Sequence, residues 1–337
     1  MNTNKVVYCK YSSNHTVTDF YINIIKEAFI INDYEVKEYN DNSSNIDKTA
    51  IFIVASPLEQ LKLYFKGCRN FVTWSQGVVP EESYMKHKSW IRWKVISLID
   101  KFAFKRCKIL LLVSQYQKEF YEKKYELNLS DKSYVMPCYN CEIEKDAFDN
   151  INKTNKNIFV FAGSCMTIWQ YFEETMKFYK KIEKEYADKV ELLVLTKDKK
   201  YAKSILEKYR IKNYSIDYVS VEGLPSKLSD CKFGLLLRKD NIVNNVATPT
   251  KLSTYLSCGL IPIVSSSIKD FARYMKGKRN FIVVDDEDDI SLVEPYINEK
   301  LDTDELYNDI SNYWNEHYNT KKHINEIAKL IFSKFSK

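Results

Sequence analysis

The sequence predicts an α/β protein built from two doubly wound halves, each a mostly parallel sheet with helices on both faces. Three observations carry that expectation. The chain has 337 residues, too many for one small domain and comfortable for two. Strand-sized apolar runs alternate with helical patterns, as parallel sheets require. The alternation stops at the polar stretch Glu142–Lys156, which reads as a linker, and then restarts. With 45% hydrophobic and 14% aromatic residues, the chain can fill two cores, so global disorder is excluded.

In the first half, Lys5–Cys9 reads as a short buried strand, followed by polar residues and a helix over Asp19–Phe29. Tyr34–Tyr39, Ala50–Ala55, Phe71–Trp74 and Ile109–Val113 read as strands, and Gln115–Tyr125 as a helix. In the second half, Ile158–Ala162, Val190–Thr196, Ile216–Val219, Phe233–Leu237, Ile261–Ser265 and Phe281–Val284 read as strands. Helices are expected over Phe172–Tyr186, Tyr201–Tyr209, Pro249–Cys258 and, as the tail, Asp304–Phe335. The expected division is 1–150 and 151–315, with 316–337 returning to the first domain. Two such domains place a ligand in the cleft between them, at the carboxyl ends of their strands.

Composition narrows the function. The start, MNTNKVVYCKYSSN, lacks the apolar core of a signal peptide, and the longest apolar runs are strand-sized. A cytoplasmic protein, soluble or peripheral on the membrane, is expected. Eight scattered cysteines read as free thiols, and the pair Cys138/Cys141 has no second pair or nearby histidine to complete a zinc site. The four histidines, His15, His87, His317 and His323, have no metal-ligand spacing. The acidic run Asp285–Asp289 reads as a solvated loop, and no metal is expected.

The net charge of +6 is concentrated. Between Lys86 and Lys108 eight basic residues face one acid, Asp100, with Trp90, Trp93, Ile96, Ile99 and Phe102 interleaved at near-helical spacing. That pattern suits peripheral contact with an anionic membrane, or a surface helix packing its Trp/Ile stripe into the core. No nucleic-acid module accompanies it, and no nucleic-acid partner is expected.

Three clusters carry chemistry. Gly163-Ser164 follows a strand, where glycine lets a ligand approach the backbone and the next segment can point N–H groups at an anion; plain turn chemistry is the alternative. Arg238 follows the apolar run FGLLL, with Asn244-Asn245 downstream; its planar fork of donors suits phosphate oxygens, or a structural salt bridge. Thr248-Pro249-Thr250-Lys251 opens a helix stopped by Gly259. Thr248 or Thr250 can cap it, with Pro249 in the first turn. Lys251 is disfavoured at a helix N-terminus unless an anion is present, so its position points to a diphosphate.

The run RKDNIVNNVATPTKLSTYLSCGLIPIV resembles the donor-binding segment of retaining family 4 glycosyltransferases of the GT-B fold. Arg238, Asn244 or Asn245, Val246, Pro249, Lys251, Tyr255, Leu256, Gly259 and Pro262 carry the match. AGSCMTIWQ (162–170) is similar to the G-x-x-x-W turn of those relatives, and TWSQGVVPEESY resembles a loop of some polysaccharide enzymes. The resemblance implies two Rossmann-like domains facing across a cleft, the C-terminal helix packing back on the first. It implies transfer of a sugar, of hexosyltransferase type, from a nucleotide-sugar donor to a lipid-linked or surface-polysaccharide precursor, with retention and without a metal or other cofactor.

Arg238 and Lys251 would be the catalytic pair, neutralising the departing diphosphate. Gly163, Ser164, Asn244, Asn245, Thr248, Pro249, Thr250 and Thr254 would bind the donor, with Val221 beside the base. Ser13, His15, Gln76, Glu81 and Glu82 would face the acceptor. One departure stands out: Thr254 occupies the place where the family usually has a ribose-binding glutamate, and Val246 that of its partner acid. Two other functions on the same fold stay open, a non-catalytic or weakly active binding protein and a nucleotide-sugar epimerase. The epimerase would call for a carboxylate and histidine set that this histidine-poor chain hardly provides.

Overall fold

The computed structural model describes residues 6–10, 16–39, 46–285 and 290–336. The chain divides into two compact units, Met1–Pro137 with His317–Lys337, and Cys138–Glu316.

In chain order the first unit contains β1 Val6–Lys10, α1 Thr16–Ile30, β2 Glu35–Glu38, β3 Ile51–Val54, α2 Pro57–Phe65, β4 Asn70–Ser75, α3 Val79–His87, α4 Trp90–Arg106, β5 Ile109–Leu112, α5 Gln115–Tyr125 and β6 Ser133–Val135. Its six strands form one parallel sheet in the order β2-β1-β3-β4-β5-β6. The central β3 and β5 are buried along their whole length, as strands covered on both faces must be, while the edge strand β2 is largely exposed.

The second unit continues with α6 Ile151–Asn155, β7 Asn157–Ala162, α7 Phe172–Tyr186, β8 Val190–Leu195, α8 Lys199–Lys208, β9 Tyr214–Asp217, α9 Leu224–Leu228, β10 Phe233–Leu236, α10 Ile242–Asn245, α11 Thr250–Ser257, β11 Ile261–Ser265, α12 Lys269–Met275, β12 Ile282–Val284, α13 Glu294–Asn298 and α14 Thr303–His317. Its sheet is also six-stranded and parallel, ordered β12-β11-β10-β7-β8-β9. From β7 the chain winds outward through β8 and β9, then returns to the other side of β7 as β10. That reversal opens a crevice at the carboxyl ends of β7 and β10.

Two expectations are corrected. Glu142–Lys156 is not a linker: it lies in the second unit and contains a 3-10 turn, Lys145–Ala147, and α6. Ala147, Phe148 and Lys153 are buried, and the Lys153 ammonium donates to the carbonyls of Ala147 and Cys258. The boundary therefore falls at 137/138, earlier than the polar composition suggested. The tail is two helices rather than one. The Asn319 side chain accepts from the Lys322 amide and so caps a new helix, α15 Thr320–Phe335. This helix belongs to the first unit and packs on α1, where the Asn32 amide donates to the Ala328 carbonyl at 3.0 Å.

Candidate functional site

The crevice of the second unit gathers three of the sequence clusters. Strand β10 pairs Phe233 with Phe159 and Gly234 with Val160 of β7, and their Phe rings stack at 4.3 Å. Carried forward, that register sets Arg238 alongside the Gly163-Ser164 turn. The Arg238 backbone is held on both sides: its N–H donates to Ser265 Oγ, and its carbonyl accepts from Ser267 Oγ at 2.8 Å. Arg238 as a whole is only 6% exposed. Nη1 donates to Asn244 Oδ1 at 3.1 Å, and Nε is buried without a hydrogen-bond partner. No carboxylate pairs with it among the described residues, so the salt-bridge alternative does not apply. Burial pulls its pKa down to about 10.

Asn244 is fixed by the turn it sits in. Its amide donates to the Lys239 carbonyl at 3.0 Å, and its N–H donates to Asn241 Oδ1, which caps α10. Asn245 is also buried, and its Oδ1 has no hydrogen-bond partner.

Lys251 lies in the first turn of α11, half-buried. Its Nζ donates to Gln170 Oε1 at 2.8 Å and stands 4.2 Å from the centre of the Phe161 ring. A Cβ on Gly163, whose φ is +136°, would come within 3.0 Å of that Nζ. Glycine is thus needed there both for its backbone conformation and for the close approach of the lysine. Burial, and then the charge of Arg238, push the Lys251 ammonium well below its usual pKa. Two adjacent cations with no acid between them are costly in isolation, and a bound dianion would relieve that cost.

The capping expectation is modified. Pro249 takes the N-cap position and makes no side-chain cap, leaving Thr250 as the first helical residue. Thr248 Oγ1 accepts from the Cys138 amide at 2.9 Å, so it anchors the start of the second unit. Thr254 Oγ1 donates to the Thr250 carbonyl one turn back, at 3.0 Å. Ser164 Oγ donates to Asp198 at 2.8 Å, and the same carboxylate accepts from the Cys165 amide. That first hydrogen bond is the largest cause holding the Asp198 carboxyl below its usual pKa. Val221 lies exposed in the turn that precedes α9, away from the cation pair in sequence.

The acceptor-side residues belong to the first unit. Ser13 and His15 lie outside the described residues, as do Asp286–Asp289 of the acidic run. Gln76 is exposed in the turn after β4. The carbonyl of the next residue, Gly77, is clamped by Tyr121 Oη at 2.6 Å and Gln117 Nε2 at 2.9 Å. Glu81 is committed elsewhere: it pairs with Lys124 at 2.6 Å and accepts from Trp93 Nε1 at 3.0 Å. An acceptor contact there would have to break a largely buried ion pair. Burial, the largest cause, raises the pKa of Glu82.

Sequence reasoning gave no site role to Gln170, Asp198 or Tyr255, although Gln170 and Tyr255 lie in the two segments that carry the family resemblance. Asp198 occupies the N-cap position of α8, yet its side chain makes no cap and reaches the Gly163 turn instead. Tyr255 is fully buried; its Oη accepts from the Ala162 amide at 3.0 Å and donates to the Leu235 carbonyl at 3.4 Å. Tyr255 thereby ties α11 to the ends of both β7 and β10. Among the described residues no group of three or more His, Cys, Asp or Glu is placed to hold a metal ion.

No family model and no curated protein sequence matches the chain. Solved structures do. An alpha,alpha-trehalose-phosphate synthase (UDP-forming) from Burkholderia xenovorans aligns with TM-score 0.63 at 8% identity, over 96% of this chain and 79% of that one. Anabaena HepE, in complex with UDP and glucose, aligns with TM-score 0.55 at 10% identity, over 98% and 95%. The fold is GT-B. Another GT-B neighbour, S. aureus TarM, aligns with TM-score 0.51 at 9% identity, over 86% of this chain. The chain spans about half of TarM's length, 54%. At these identities the likeness is one of fold.

Proposed function

We propose that the protein is a glycosyltransferase of hexosyltransferase type, moving a sugar from a nucleoside-diphosphate donor to a glycan acceptor. The observation that carries this reading is the pair of a buried Arg238 and a half-buried Lys251 beside it, with no carboxylate partner among the described residues. A diphosphate supplies the missing charge, and its oxygens suit both the unpartnered Arg238 Nε and the ammonium of Lys251. As the sugar–phosphate bond breaks, negative charge builds on the diphosphate, and cations already in place stabilise it without reorganising. Two side-chain cations can fill the role that a metal fills elsewhere, which supports transfer without one. The HepE and TarM structures are complexes with UDP, which makes a uridine nucleotide the first donor to try.

The finer assignments follow the sequence resemblance: a retaining enzyme like those of family 4, acting at the cytoplasmic face on a lipid-linked or surface-polysaccharide precursor. Thr254 already donates its proton to Thr250, so it offers a ribose hydroxyl only an acceptor oxygen. That contact is weaker than the charge-assisted bond of a glutamate. Release of nucleoside diphosphate from a panel of nucleotide sugars, with and without glycan acceptors, tests the reading. Release from at least one donor is expected, and it should fall about a hundredfold or more in Arg238→Ala. No release from any donor would leave a binding protein on the same fold.

A further inference from the structure

The basic helix α4 is apolar on two opposite faces. At 100° per residue, Trp93, Ser97, Asp100, Ala103 and Phe104 fall on one side. Ser97, Asp100, Ala103 and Phe104 are buried. This side is pinned to its neighbours: Trp93 donates to Glu81 of α3, while Lys124 of α5 pairs with Glu81 and donates to Ser97 Oγ at 3.0 Å. Of the expected stripe of Trp90, Trp93, Ile96, Ile99 and Phe102, only Trp90 is exposed and the other four are half-buried, so the stripe as a whole does not supply the outer face.

That face is a different line, Ile91, Val95 and Leu98, spaced i, i+4 and i+7. They are 71%, 51% and 60% exposed, and Trp90 at the helix start is 58% exposed. Lys94, Lys101 and Lys105 flank the line on one side, and Arg92 and Arg106 on the other, all exposed. The only acid of α4, Asp100, faces inward. The outward face is therefore apolar along its middle, cationic on both flanks and free of carboxylates.

We propose that this face of α4 is a docking surface for an anionic lipid membrane. Branched aliphatic side chains can enter the acyl boundary, Trp90 suits the headgroup level, and the flanking lysine stems are long enough to keep their ammonium groups at lipid phosphates. The charge pattern decides between occupants. A second copy of the chain docked face to face would bring the same cations together, whereas an anionic bilayer complements them. No described helix is long and apolar enough to cross a membrane, so the contact is one of surface docking. The inference rests on α4 alone and stands or falls separately from the sugar-transfer reading.

Co-sedimentation of the full chain with vesicles tests it, comparing phosphatidylcholine alone with equal parts phosphatidylcholine and phosphatidylglycerol. Binding is expected only to the anionic vesicles, weakening with added salt and accompanied by a blue shift of tryptophan emission. The double variant Ile91→Ser with Leu98→Ser should weaken binding about tenfold or more, and Lys94→Glu with Lys101→Glu should abolish it. All four positions are exposed, and an unchanged thermal midpoint will show that the fold is intact. Equal binding to both vesicle types, or binding untouched by either double variant, overturns the proposal. So does a concentration-dependent dimer that Ile91→Ser with Leu98→Ser dissolves, which would assign the face to a second copy.

Discussion

At the residue scale the argument turns on protonation. Lys251 is pushed down by burial and by Arg238, so its charged form is disfavoured by the protein alone. The negative charge of a bound diphosphate outweighs both effects and raises its pKa. Between the pKa values of the free and the UDP-bound protein, binding must therefore take up a proton, and affinity should fall as pH rises through that window. Calorimetric titration of the protein with UDP, in buffers of different ionisation enthalpy, measures the uptake directly. A positive proton stoichiometry that disappears in Lys251→Met is expected. This chemistry was half-visible in the sequence: a lysine in the first turn of a helix is out of place without an anion. Its partners were not visible, because Gln170 and Phe161 reach it only through the fold.

At the scale of elements, α11 is positioned by one close contact. A Cβ on Gly234 of β10 would lie 2.4 Å from Tyr255 Cδ2, so the absence of a side chain on the strand admits the ring. Gly234→Ala should cost about 1–3 kcal/mol by overpacking, read as a lowered urea midpoint of the second unit. Adding Tyr255→Leu should recover part of that loss; a neutral Gly234→Ala would mean that the contact does not constrain α11. Most strands here were legible because buried parallel strands read as unbroken apolar runs, as β5 and β10 do. The short helices were not. The helix α10 depends on a cap from Asn241, and α6 hides in a polar stretch whose buried Lys153 finds only carbonyl partners. Which face of α4 is covered was not legible for a related reason: apolar residues occur on two opposite faces, so periodicity alone cannot say which one packs.

At the scale of the whole molecule, the C-terminal helix crosses back to the first unit and is held there by His323. This buried side chain accepts from Tyr134 Oη on Nδ1 at 2.7 Å and donates from Nε2 to the His317 carbonyl at 3.0 Å, the tautomer these partners require. Burial lowers its pKa to about 4. With the folded value depressed, the first unit's stability is fully present above the unfolded value, near 6.5, and is lost as pH falls toward 4. The loss should approach about 3 kcal/mol and appear as faster hydrogen exchange in α15, after correction for intrinsic rates. His323→Gln, which does not titrate, should show no such pH dependence. The central claim remains the diphosphate site of the second unit, and the UDP titration tests it most directly when repeated on Arg238→Ala and Lys251→Ala. Each substitution is expected to weaken UDP binding at least about tenfold, the loss of one charge-assisted contact. Unchanged affinity in both variants would contradict the assignment of these two residues to the diphosphate.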